Sequence, residues 1–137
     1  MFKLVKILGG RTNCAEPRRV HVSSGPSKAL TVGMPISIAN GTATVVDGDR
    51  ELHVTHLIDQ DCKANAKDLT VIDVLPGMVF SSFMMNDLEN YAIGGEYIIE
   101  NGAVTSDPVS QRGAGAVVFD IPEQVEGGEI LVTFRAN

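Results

Sequence analysis

Turn dipeptides punctuate this chain at intervals too short for helices. Asn40-Gly41, Asp47-Gly48, Asn101-Gly102 and Gly127-Gly128 each supply the positive φ that a tight hairpin turn requires. Between and around them run short apolar segments: PISIA (35–39), TATVV (42–46), ELHVTHLI (51–58), LTVIDVL (69–75), EYIIE (96–100), AVVFDI (116–121) and EILVTFRA (129–136). They are rich in Val, Ile, Thr, Phe and Tyr, and several alternate apolar with polar residues, which predicts strands. No window of eleven residues keeps an apolar stripe at helical spacing without a Gly or Pro. SSFMMNDLENY (81–91) is the best short helix candidate. The expectation is an all-β fold, a short-stranded β-barrel or sandwich, with structural turns at Gly33, Gly41, Gly48, Gly94 and Gly102.

The pattern repeats itself. Val32-Gly33, Ile36, Ile38, Asn40-Gly41, Ala43 and Thr44 line up in type and spacing with Ile93-Gly94, Tyr97, Ile99, Asn101-Gly102, Val104 and Thr105. The unit is a glycine turn, an alternating strand, an Asn-Gly hairpin and a return strand. Any two hairpins share some of this. The echo nonetheless divides the chain into an extended basic arm at 1–28, a first β lobe at 29–82 and a second at 83–137, two lobes that can share one core.

A chain of 137 residues buries enough surface to fold without a disulfide or metal. Two cysteines, Cys14 and Cys62, make no disulfide framework and no CxxC pair, so both read as free thiols. MFKLVKILGG is too short and too interrupted by lysine for a signal peptide or a membrane span. The net charge of −6 is uneven. Lys3, Lys6, Arg11, Arg18, Arg19 and Lys28 stand against Glu16 alone in the first 28 residues; five basic residues face sixteen acidic ones in the rest. Residues 9–30 are polar and turn-rich, which predicts an arm ordered mainly by a partner. The partner is something acidic: nucleic acid, a neighbouring subunit, or the body of this protein. The absence of interleaved aromatics and the acidic remainder argue against nucleic acid.

HVTHLIDQDC (53–62) concentrates residue types that hold metals. The spacing does not suit them. On a strand, His53 and His56 point to opposite faces, and their i, i+3 separation is neither the i, i+2 of a strand site nor the i, i+4 of a helical one. DQDCKANAKD lacks the central Gly and terminal Glu of a calcium loop. There is no GxSxG, no phosphate loop and no local base beside either cysteine. The residues therefore predict no metal, no cofactor and no enzyme. Two tyrosines and no tryptophan leave little for sugar stacking.

Three stretches carry a family resemblance: KALTVGMPISIANGTATVVDG (28–48), LPGMVF (75–80) and AIGGEYIIENGAVTSDPV (92–109). Over roughly residues 25–137 the chain resembles the decoration proteins of tailed bacteriophages, auxiliary capsid proteins that stabilise the head. The resemblance implies a β-tulip or β-barrel domain, frequently trimeric, found in the virion on the capsid surface and in the host cytoplasm during assembly. There it would staple neighbouring major capsid proteins, with no membrane or nucleic-acid partner. It implies that the basic arm, through Lys6, Arg11, Arg18, Arg19 and Lys28, meets the capsid. The arm is more charged than simple strand addition needs, which points to ion pairs. A head fibre, a tail component or a stand-alone ligand-binding β module shares the same β style.

Overall fold

The computed structural model describes residues 2–7, 16–48, 52–75, 78–83, 91, 93–105, 117–119, 124–125 and 129–134. Every regular element among them is a strand. β2 (Arg18–His21), β3 (Pro35–Ala39), β4 (Thr42–Val45), β5 (His56–Ile58) and β6 (Asp68–Asp73) form one antiparallel sheet in the order β2-β6-β5-β3-β4. β1 (Lys3–Ile7), β7 (Met78–Phe83), β8 (Gly95–Glu100), β9 (Ala103–Thr105), β10 (Val117–Phe119) and β12 (Glu129–Phe134) form the other, in the order β1-β7-β12-β10-β8-β9. The short β11 (Gln124–Val125) pairs with β12.

The protein is all-β, as the turn chemistry predicts, but the described strands form no closed barrel. The first sheet curls until its ends approach. Ser23 and Ser24 donate to Gly41 O at 2.8 and 3.2 Å, Ala43 N donates to Ser24 O at 3.0 Å, and Ser24 bridges Thr42. That contact joins β4 to the chain just past β2 without a continuous ladder. Inside the curl lies a small core of Val22, Leu30, Ile36, Ala43, Ile58, Leu69 and Val71.

Alternation along the strands feeds a second, larger core. In β6, Leu69 and Val71 face the small core while Ile72 faces away from it. Ile72, Leu57, Val54 and Val46 join Phe80, Tyr97, Ile99, Val117, Ile130 and Val132 of the second sheet in one cluster. The two lobes share this core.

The described turns behave as their chemistry requires; Gly127-Gly128 lies outside the described residues. Asn40 and Asn101 both have φ 52°, followed by Gly41 at 76° and Gly102 at 77°. Gly33, Gly48 and Gly94 have φ of 91°, 75° and 83°. Gly33 closes a turn in which Met34 N donates to Thr31 O at 3.1 Å.

Four expectations change. The stretch expected as an arm supplies β1 and β2, and Phe2 and Val22 are buried in the two cores. The reason lies in RRVHV, whose apolar residues turn inward while Arg18, Arg19 and His21 stay exposed. The boundary between sheets falls between Asp73 and Met78 rather than after residue 82, and β1 joins the second lobe. The strand expected over 51–58 forms only over His56–Ile58. There Ile38 N donates to the Thr55 hydroxyl at 2.9 Å, so a side chain takes the place of a ladder carbonyl. Residues 81–83 of the helix candidate are strand; 84–90 lie outside the described residues.

Candidate functional site

The densest polar cluster among the described residues lies across β2, β6 and β5. Register brings it together: Arg18 faces Val71 on β6, and His56 faces Asp73. Asp73 then lies diagonally from Arg18, within reach of a long side chain. Arg18 donates from Nε to both carboxylate oxygens at 3.2 and 3.0 Å and from Nη2 to Oδ1 at 2.9 Å. His56 Nε2 lies 3.0 Å from Asp73 Oδ1, and its Nδ1 lies 2.7 Å from Thr55 Oγ1.

One tautomer satisfies every partner. With the ring proton on Nε2, His56 donates to Asp73 and accepts from the Thr55 hydroxyl. That hydroxyl in turn accepts from Ile38 N. The 3.4 Å approach of Arg18 Nη2 to His56 Nε2 is then a contact, not a hydrogen bond.

Charge is distributed accordingly. The hydrogen bonds from Arg18, its positive charge and the contact with His56 hold the Asp73 carboxyl below the usual range, against a smaller penalty from burial. Asp73 raises Arg18 in return. Burial lowers His56, and Asp73 only partly offsets it. A carboxylate 3.0 Å away usually raises a histidine. Arg18 already neutralises that carboxylate, so desolvation decides. The ring is neutral at neutral pH.

Hydroxyl, imidazole and carboxylate in line have the polarity of a proton relay. The hydroxyl is not presented to a substrate, however. Ile38 N, His56 and, at 3.5 Å, Ile36 O surround it. The cluster therefore ties three strands together, with Asp73 as its hub.

The other residues singled out by sequence fall apart. No group of three metal-ligating side chains exists among the described residues. Asp61 is occupied by accepting from Val32 N at 2.9 Å. Burial raises the Cys62 thiol, so it holds its proton. Of the five basic residues expected to meet a partner, Arg18 is committed to Asp73. Lys28 Nζ lies 4.0 Å from Asp47 Oδ2, and Arg19 shares a polar cleft with Asp61 and Asp68. The backbone of Lys6 lies in β1; Arg11 lies outside the described residues. Arg18 and Lys28 thus meet acidic side chains of their own chain. Sequence reasoning missed the Arg18–Asp73–His56 cluster, because its members lie 55 and 38 positions apart and only strand order unites them.

At the lobe junction, Gly48 N donates to Ile99 O at 2.6 Å and Asn101 N to Asp47 Oδ1 at 2.9 Å. They flank a cleft of about 240 Å³ lined by Lys28, Met34, Val46 and Ile99. No helix among the described residues is long and apolar enough to cross a membrane. No known family model matches the chain, and no curated protein matches it.

Proposed function

We propose that this protein is a virion structural component that binds the outer surface of a phage capsid lattice and staples neighbouring major capsid proteins. In this reading it is a β-tulip decoration protein, assembled as a trimer, and not an enzyme. The observation that supports it most is a pair of like contact points. Val32 and Ile93 precede the turn glycines Gly33 and Gly94 of the two lobes, and they are 52% and 68% exposed. The turn itself asks for no β-branched residue there. Two equivalent apolar tips on one chain suit a partner that repeats, where weak contacts multiply into avidity. Arg18 contributes to folding in this reading rather than to the capsid contact.

Quantitative peptide mass spectrometry on purified virions tests it. A copy number in the hundreds, near that of the major capsid protein, is the expected result. A handful of copies moves the protein to a fibre or tail part. Absence from the particle overturns the reading in favour of a ligand-binding module. On virions that carry the protein, the Val32→Asp/Ile93→Asp variant loses occupancy by at least tenfold.

A further inference from the structure

The two lobes are one unit built twice. Ile36 faces His56 as Tyr97 faces Val117, and His56 faces Asp73 as Val117 faces Phe134. Gly33 N donates to Ile58 O at 2.8 Å, and Gly94 N to Phe119 O at 2.7 Å. Each counterpart lies 61 positions further on (33 to 94, 36 to 97, 56 to 117, 73 to 134). β3, β4, β5 and β6 thus recur as β8, β9, β10 and β12 without insertion or deletion. β2 recurs as β7 one residue later: Arg18 faces Val71 as Phe80 faces Val132. Core residues follow, with Ile36, Ala43, Leu69 and Val71 recurring as Tyr97, Val104, Ile130 and Val132.

One layer does not follow. Arg18, His56 and Asp73 stand where the second lobe has Phe80, Val117 and Phe134. In the second lobe this end layer is apolar. The rings of Phe80 and Phe134 lie 4.9 Å apart, and Phe2 lies 5.0 Å from Phe134. Phe80 and Val117 are fully buried, in one cluster with Leu57 and Ile72 from the outer face of the first lobe's sheet. The lobes therefore meet head to tail, the end of one on the outer face of the other. A contact of this kind continues from unit to unit unless something stops it. At the matching end of the first lobe, the side chains of Arg18, Asp73 and His56 are 53%, 34% and 13% exposed.

We propose that the Arg18–Asp73–His56 cluster is a polar lid that ends the head-to-tail series at two lobes, closing the first lobe to a second copy of this chain. The lid needs no partner, since its polar atoms bond to one another. An apolar face docked on it would strip water from the ion pair and return nothing. Terminal units of repeat proteins carry polar outer surfaces for the same reason. The face excluded is the outer face of the second lobe at Val118 and Thr133, counterparts of Leu57 and Ile72 and both partly exposed. The inference is independent of the capsid reading.

The test gives the first lobe the residues of the second: Arg18→Phe, His56→Val and Asp73→Phe together. Sedimentation velocity over a wide concentration range is expected to show species larger than the wild type that grow with concentration. Adding Thr133→Glu is expected to restore the wild-type mass. A triple variant with wild-type mass throughout overturns the proposal. So does association that Thr133→Glu leaves unchanged, since that is non-specific aggregation. Should the triple variant lose its far-UV circular dichroism, Arg18→Leu/Asp73→Leu takes its place. It removes both charges and keeps the His56–Thr55 bond, and the same outcomes decide.

Discussion

His56 lies between a hydroxyl and a carboxylate, and burial rather than either neighbour sets its charge. Its folded value is depressed, so the unfolded chain takes up a proton that the folded chain refuses. Stability therefore falls as the pH drops through the ordinary histidine range. Asp73 adds a second loss at lower pH. Its stabilisation is present above the ordinary aspartate range and disappears as the pH falls through the lowered folded value. Melting temperatures taken at about pH 7.5 and about pH 5.5, either side of the free histidine value, are expected to fall for the wild type. The fall is expected to be smaller for His56→Gln, and equal falls would contradict a buried neutral ring. Glycines give a second prediction at this scale. A Cβ on Gly25 would lie 2.0 Å from the Ala66 carbonyl oxygen, so Gly25→Ala must displace backbone and costs about 2–3 kcal/mol. A Cβ on Gly94 meets nothing within 4 Å, and only its φ of 83° is strained, which costs about 1 kcal/mol. Urea denaturation of the two variants measures the difference. The Asn-Gly and turn glycines were legible because their reason is local. Gly25 was not, because its reason is the backbone of Ala66, far along the chain.

Strands show how far alternation can be read. β3, β4, β8 and β12 lie where apolar and β-branched runs put them, bounded by turns that declare themselves. β1 and β2 were hidden by their lysines and arginines. A short edge strand with one inward face leaves too few apolar residues to stand out from a charged loop. The cost of that misreading is testable: truncation of residues 1–24, harmless to a dangling arm, removes two strands and two core residues, Phe2 and Val22. The truncated chain is expected to lose its cooperative melt, and a folded truncation would restore the arm. Equivalent positions on β2 and β7 give a sharper contrast. Phe80→Ala empties a fully buried site and costs about 3–5 kcal/mol. Arg18→Ala, at the matching position but half-exposed, is expected to cost far less by urea denaturation.

Two sheets and two clusters of buried residues do not make two folding units here, because the larger cluster draws on both lobes. Calorimetry is expected to show one transition, with calorimetric and van't Hoff enthalpies equal. Leu69→Ala, in the smaller core, is expected to shift that transition as a whole, whereas a separate early step would show that the first lobe melts alone. The duplication was half legible. The Asn-Gly hairpins disclosed it, while β5 and β6 share too few residue types with β10 and β12 for sequence to extend it.

Synthesis order adds a constraint of its own. Among the described strands β1 leaves the ribosome before the others, yet its ladder partner begins at Met78. All five strands of the first sheet emerge in the meantime, and they can pair among themselves. β1 must wait outside that nascent sheet, close enough to reach its partner later and charged enough not to join the wrong one. Lys3 on so short an edge strand is then less a mark of binding than a guard against premature pairing.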